Sequence, residues 1–292
     1  MDGYSAADGE SPEGGAVSVP ELVIEGGPRA GLRNSLRELW VFRAIVLAFA
    51  ERDVRVKYKQ ALFGIAWAVL QPLCYMAIFT VFLGRAANVS GGGAPYAAFA
   101  LSGLVPWTYL QGAIGFGANT LVTDAQLLRK VYFPREVPVL GSVISNSLDF
   151  AIGLVLFAIL GPLLGADVSA TWLLAIPLGV VLAALTAGVS LATAAMNVHY
   201  RDFRYALPFA LQLWLFASPV AYPLSIVPKS WRGLYLVLNP AAGLLDGFHS
   251  VLALGRLPDA GPLMVSIVTT TLVLVMGYRI FKSLEPSFAD VV

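Results

Sequence analysis

Apolar residues in this chain come in long uncharged runs, not in the three-and-four spacing of a helix that is wet on one side. Such runs extend from Ala61 to Gly84, Tyr96 to Thr123, Val168 to Val198, Tyr205 to Val227 and Ala260 to Tyr278. About 20 apolar residues of helix cross a bilayer core, so each run is long enough. A sixth, Val137 to Ala166, is interrupted only by Asp149. The pattern predicts an all-α integral membrane protein with six transmembrane helices, an even number that leaves both chain ends on one side.

Two further segments are apolar without spanning. From Ser35 to Phe49, Leu36, Leu39, Trp40, Val46 and Leu47 recur at helical spacing near Arg33, Arg37 and Arg43, and a basic stretch from Arg52 to Lys59 follows. This predicts an N-terminal amphipathic helix lying in the interface, with a basic linker, over 31–60; an ordinary juxtamembrane linker is the plainer reading. Between spans five and six, 231–256 is broken by Gly233, Asn239-Pro240, Gly243, Asp246 and Gly247 into pieces of about a dozen residues, too short to cross. Re-entrant half-helices are expected there, or else an external loop with a surface helix. Non-helical backbone at membrane depth must be covered by protein or water.

Charge orients the chain. With the N-terminus inside, alternation places 15 of the 19 Lys and Arg residues on the inner side and four (Arg85, Lys229, Arg232 and Arg256) outside, as basic residues distribute in membrane proteins. Residues 1–30 hold Asp2, Asp8, Glu10, Glu13, Glu21 and Glu25 among Gly, Ser and Pro. This composition predicts a disordered cytoplasmic tail. It lacks the basic start and apolar core of a signal peptide. Only 13% of residues are charged, against roughly a quarter in soluble domains, and the mean hydropathy is +0.74. A net charge of +1 gives no field that would favour nucleic acid.

Catalytic chemistry is sparse. There is no G-x-x-x-x-G-K-[ST] loop and no H-E-x-x-H, and His199 and His249 fall on opposite sides of the predicted membrane. Gly112, Gly115 and Gly117 sit within a span, where they allow close helix approach. The single cysteine, Cys74, excludes a disulfide framework and is expected as a small buried side chain. Asp149 and Asp246 are the carboxylates near membrane depth. An ionisable group there is a functional candidate, but Asn146 and Ser147 beside Asp149 could also satisfy it structurally. Internal repeats and multiple membrane carboxylates, the marks of ion-coupled carriers, are absent. Energy for uphill movement would come from outside the chain.

The loop after span two suits the receipt of such a push. In Asp124-Ala-Gln-Leu-Leu-Arg-Lys-Val-Tyr-Phe-Pro134-Arg-Glu136, Asp124 can cap a short helix, Arg129 and Lys130 suit its end, and Pro134 stops it. Leu127, Leu128, Val131 and Tyr132 then form an apolar face, either a docking surface or one that hugs the membrane. Aromatics are the other resource. Trp67, Tyr75, Phe79 and Phe82 lie on span one, Trp107, Tyr109 and Phe116 on span two, and Trp214 and Phe216 on span five. They suit stacking against sugar rings or, more plainly, interfacial belts and lipid contact.

These segments resemble the membrane subunits of ABC-type polysaccharide exporters, the O-antigen and teichoic acid export permeases. The likeness covers roughly 35–292. It is carried by Tyr58-Lys59-Gln60-Ala-Leu-Phe-Gly64-Ile-Ala-Trp67, Leu70-Gln71-Pro72, Leu128-Arg-Lys-Val-Tyr-Phe-Pro134-Arg-Glu136 and Asn197-Val-His-Tyr-Arg201-Asp202-Phe203. Ser218-Pro219-Val220, Leu238-Asn239-Pro240 and Leu284-Glu285-Pro286-Ser-Phe288-Ala289 complete it. One departure is His249 after Phe248, where the family often has arginine.

The resemblance implies an ABC-2 type domain over 61–292, a homodimer, and two copies of a separate ATP-binding subunit that holds ATP and Mg. The coupling loop would be 124–136, with Leu127, Leu128, Arg129, Lys130, Tyr132 and Phe133 seated in that subunit. The aromatics would line a channel at the dimer seam of a multi-pass protein of the cytoplasmic (inner) membrane. A polyprenyl-diphosphate-linked glycan would pass through it. Arg52, Arg55, Lys57 and Lys59 lie where its diphosphate would approach, or serve only to fix topology. Two other readings share part of the pattern: an ABC-2 permease for a lipid or drug, and a membrane-embedded glycosyl or lipid transferase, which would need an acidic cluster.

Overall fold

The computed structural model describes residues 39–59, 66–130, 133–200 and 202–288. The predicted tail, the start of the amphipathic segment and Tyr132 lie outside them, as do the side chains of 128–130. The described residues are mostly helical. In order they form α1 (Arg43–Lys59), α2 (Ala66–Phe79, continued by a π-helical turn Thr80–Ala86), α3 (Tyr96–Thr123), the short α4 (Ala125–Lys130) and α5 (Glu136–Leu163). Then come α6 (Ala175–His199), α7 (Phe203–Ala217), α8 (Lys229–Leu238), α9 (Pro240–Phe248, continued by a π-helical turn His249–Ala253) and α10 (Ala260–Leu284).

Among the described residues four helices are long and apolar enough to cross a membrane: Ala66–Ala86, Glu136–Leu163, Ala170–His199 and Ala260–Leu284, or five if the bent pair Lys229–Leu238 and Pro240–Ala253 is one span. The other two runs read as spans differ for physical reasons. α3 has 28 residues but carries Thr, Gln, Asn and Gly among its apolar positions, and it is buried along most of its length. A helix wrapped by its neighbours need not be apolar all round. α7 has 15 residues, about 22 Å of helix, and its run continues as the non-helical segment from Ser218 to Pro223. That backbone is covered by protein: Ala217 O accepts from Tyr235 Oη at 2.8 Å and Asn239 Nδ2 at 3.1 Å, and Ser218 Oγ from Asn239 Nδ2 at 2.9 Å. The Ser-Pro and Asn-Pro motifs are thus one structural joint.

Contacts sort the helix ends into two groups. At one end Tyr96 Oη donates to Ala221 O at 2.7 Å, Thr171 Oγ1 to Val251 O at 3.0 Å, and Asp167 N to Ala253 O. At the other, Asn197 Nδ2 donates to Ala118 O at 2.8 Å and Arg135 Nη1 to Glu285 O at 2.7 Å. Successive long helices therefore run in opposite directions. His249 belongs to the first end and His199 to the second, as the sequence implied.

Small residues set the tightest approaches. A β-carbon on Gly277 would stand 2.0 Å from Gly188 O, so α6 and α10 touch through backbone. A β-carbon on Gly117 would crowd the side chains of Ser142 and Ser190, whereas Gly112 has only ordinary contact and Gly115 has none within 4 Å. Cys74 is exposed on α2, which corrects the expectation of a buried thiol. On a chain bathed in lipid, an apolar surrounding does not require an interior position.

Between α7 and α10, α8 and α9 meet at 106°. Pro240 starts α9, where its missing N–H costs nothing, and α9 with its π turn is buried. The expected broken segment is present as two short helices. α1 also departs from expectation. The basic stretch is not a linker but the second half of one helix that runs to Lys59 and packs Val46, Phe49 and Ala50 on α5. Gly141 admits it, since a β-carbon there would lie 2.8 Å from Phe49 Cβ.

Gly277→Ala therefore forces two backbones apart and should cost about 1–3 kcal/mol, read as a lower thermal midpoint of the solubilised chain. Gly261→Ala, with nothing within 4 Å of the new carbon, should leave the midpoint unchanged or slightly raised.

Candidate functional site

A cavity of about 500 Å³ lies between α1, α2, α3, α5 and α7, toward the end of the bundle that carries α4. α3 gives it a polar stripe: Thr108, Gln111, Gly115, Asn119 and Thr123 recur every three or four residues and so share one face. Gly112 and Gly115, read from sequence as packing residues, line it and leave it room. α1 adds Arg52 and Lys57, α2 adds Gln71, α5 adds Asn146, and α7 adds Arg204.

The cations of α1 are held by carboxylates distant in sequence. Arg52 grips Asp124 with two donors, Nη1 to Oδ1 at 3.0 Å and Nη2 to Oδ2 at 2.6 Å, and reaches Asp53 Oδ1 at 2.8 and 3.0 Å. Planar guanidinium suits such paired bonds. Burial would lower the Arg52 pKa, but the hydrogen bonds to Asp124 and Asp53 outweigh it and raise it. Asp53 is buried with one carboxylate oxygen unpartnered, and burial pushes its pKa up against the pull of Arg52. The expected cap residue Asp124 thus gives its carboxylate to Arg52. Lys57 pairs with Asp149 and donates to Asn146 Oδ1 at 3.1 Å. Asp149, at membrane depth, is met by a cation on another helix and not by Ser147. Of the other basic residues expected at a headgroup, Arg55 pairs with Glu51 on the exposed face of α1 and Lys59 is exposed. Neither lines the cavity.

The expected coupling loop divides. α4 forms, and Leu127 is 37% exposed. Phe133 is not available for docking: it is buried against Val46, Phe49 and Val137, with its ring 5.3 Å from that of Phe49. Arg52 lies over the other partner of that contact, 4.5 Å from the Phe49 ring. α1 therefore holds the segment at both ends, by Arg52 on Asp124 and by Phe49 on Phe133.

The nine expected lining aromatics also divide. Trp107 and Tyr109 are buried in the core, Trp107 edge-on to Trp214 at 5.7 Å and Tyr109 against Phe150 at 5.3 Å. Neither presents a surface, which corrects their place among the lining residues. Phe79 is buried with its edge on Phe216, Tyr75 is half-buried, and Trp214 donates to Asn239 Oδ1 at 3.0 Å. Trp67, Phe82 and Phe216 are exposed on α2 and α7, and Phe116 lines the cavity. His249 is a buried pin: its ring stacks on Phe99 at 3.9 Å and bonds Ser102 Oγ and Pro219 O at 2.8 and 2.9 Å. Among the described residues no group of three His, Cys, Asp or Glu side chains is placed to hold a metal.

The family model for ABC-2 type transporters matches residues 45–253. The chain belongs to the ABC-2 type transporter family. It is 33% identical over 262 residues to the O-antigen export system permease protein RfbA of Myxococcus xanthus, covering 87% of this chain and 98% of that protein. It is 24% identical to the RfbA of Klebsiella pneumoniae, over 85% and 94%, and 21% identical to the polysialic acid transport protein KpsM of Escherichia coli, over 84% and 95%. The stretch matched to the ABC-2 model begins in α1 and ends at the π turn after α9, so it contains the cavity, the strapped segment and the bent helix pair. α10 and the C-terminal motif lie beyond it. α10 packs along α6 and against α9, and Lys282 lies between Glu136 at 2.7 Å and Glu285 at 2.9 Å.

Lys57→Met leaves Asp149 without its cation and should destabilise the solubilised chain by about 1–3 kcal/mol. Lys57→Met combined with Asp149→Asn should recover most of that loss. An unchanged thermal midpoint in the single variant would show that the pair does not hold α1.

Proposed function

We propose that this chain is the membrane subunit of an ATP-driven exporter that moves a polyprenyl-diphosphate-linked polysaccharide out across the cytoplasmic membrane. Its relatives are named for O-antigen export and polysialic acid transport, which supports a cell-envelope glycan as cargo. The observation that carries the mechanism is the strapped α4: a short helix with an exposed apolar residue, fixed to α1 through Arg52–Asp124 and Phe49–Phe133. A rigidly mounted knob of this kind passes a push into the bundle, where a free loop would absorb it.

Six helices (α2, α3, α5, α6, α7 and α10) cross the membrane in this reading, and both chain ends face the cytoplasm. α1 lies at the cytoplasmic interface. Its exposed Leu47 and Val56, and Trp40 just before it, face lipid. α8 and α9 form a re-entrant pair near the outer surface. Two copies of the chain meet along α2 and α7, whose exposed Trp67, Phe82, Phe209 and Phe216 supply flat apolar faces for sugar rings. Two ATP-binding subunits seat α4 and its loop, bind ATP and Mg, and hydrolyse the nucleotide, so this chain is not the enzyme.

The test is co-purification with the ATP-binding protein and measurement of glycan-stimulated ATP hydrolysis in reconstituted membranes. Leu127→Asp should sharply lower recovery of the ATP-binding protein while the chain still inserts. Undiminished assembly of that variant, or nucleotide hydrolysis by the chain alone, would overturn the reading.

A further inference from the structure

Beyond the last membrane helix the chain turns back onto the bundle. Pro286 has no N–H to donate and its ring crowds the preceding helical turn. α10 therefore closes at Leu284, and the 3-10 turn Glu285–Ser287 redirects the backbone. Phe288 follows and is only 4% exposed. Its ring lies edge-on to Phe281 at 5.5 Å and stands 5.9 Å from that of His199. It joins a cluster with Leu121 of α3, Val139 of α5 and Leu191 and Ala195 of α6. One aromatic side chain thus gathers four helices at the end of the bundle that carries α4.

A buried ring alone would seal that end. The polar contacts of the segment go further, because they converge on Arg135 and Glu136, where the α4 segment enters α5. Arg135 Nη1 donates to Glu285 O at 2.7 Å, and its guanidinium carbon lies 5.7 Å from the Phe288 ring. Glu136 is 1% exposed. Lys282 Nζ meets its Oε1 at 2.7 Å and Glu285 Oε2 at 2.9 Å, and Tyr278 Oη donates to Glu136 Oε1 at 3.5 Å. A buried carboxylate is costly to leave without its cation, so Lys282 fixes the position of Glu136. Arg52 and Phe49 tie Asp124 and Phe133 to α1. The C-terminal segment ties the next two residues of that stretch to α10, whose backbone touches α6 at Gly188 and Gly277. The α4 segment is therefore anchored on two sides, to α1 and to the α6–α10 pair.

We propose that residues 282–288 are a positioning element for α4, which carries its displacement into the α6–α10 pair as well as into α1. Phe288 and Lys282 act through Arg135 and Glu136. Their consequence for transport rests on the export reading, whereas the anchoring itself does not. The ABC-2 model match ends at residue 253, so this anchor lies outside the matched stretch.

Hydrogen exchange read by mass spectrometry on the full chain in phosphatidylcholine nanodiscs tests the anchoring. In Phe288→Ala the α4 amides should exchange about tenfold faster than in wild type, as a local opening becomes easier, and Phe288→Leu should recover most of the protection. Arg135→Gln keeps the ring in place and should show a smaller increase at the same amides. Exchange in α6 around Gly188 should not change. Wild-type exchange at α4 in Phe288→Ala, or faster exchange throughout the chain, would overturn the proposal, the latter by showing a merely structural role. In vesicles with the ATP-binding subunit, Phe288→Ala should hydrolyse ATP near the wild-type rate and export several-fold less glycan per ATP. An unchanged ratio despite faster α4 exchange would overturn the positioning role. Absence of ATP-driven export by the wild type would sink the export reading instead, and faster α4 exchange in the variant would still support the anchor.

Discussion

The rest of the structure depends on Arg52 standing between two carboxylates. Its guanidinium closes on Asp124 with paired bonds, reaches Asp53, and lies over Phe49, which in turn packs on Phe133. An exposed ion pair contributes little to stability, but here the carboxylates are largely covered and the geometry is bidentate. Arg52 thus ties α1 to the start of the α4 segment and Phe49 ties it to the end, and Arg52 lines the cavity on the side of α1.

Polar groups at membrane depth obey a second constraint: with no water available, each must find a partner within the protein. Asn239 joins Trp214, Ala217 and Ser218 where α7 stops short, and His249 bridges α3 and the Ser-Pro turn. Lys57 meets Asp149. The matching is incomplete among the described residues: Asp53, Glu136 and Asp149 each keep one buried carboxylate oxygen without a partner. The polar-lined cavity lies directly beside the α4 segment.

Much of this was legible in sequence. Long uncharged runs predicted the helices, Asn239-Pro240 predicted the break, and the loop and tail motifs pointed to the family. What was not legible follows from long-range pairing and from helix orientation. Arg52 and Asp124 are 72 residues apart and Lys57 and Asp149 are 92 apart, so the basic stretch read as a linker and Asp124 as a cap. An almost wholly apolar helix gives no sign of which face is inward, so Trp107 and Tyr109 could not be told from Trp67 and Phe82. The stripe Thr108, Gln111, Gly115, Asn119 on α3 did carry a helical-period signal. It was hidden because glycine in a membrane helix reads first as a packing residue.

The most direct measurement of the central claim is glycan exported per ATP hydrolysed, in vesicles holding the chain with its ATP-binding partner, for wild type and Arg52→Gln. Loosening the strap should leave ATP hydrolysis near its wild-type rate and lower the export ratio several-fold. An unchanged ratio would contradict the account, because force would then reach the bundle without α1.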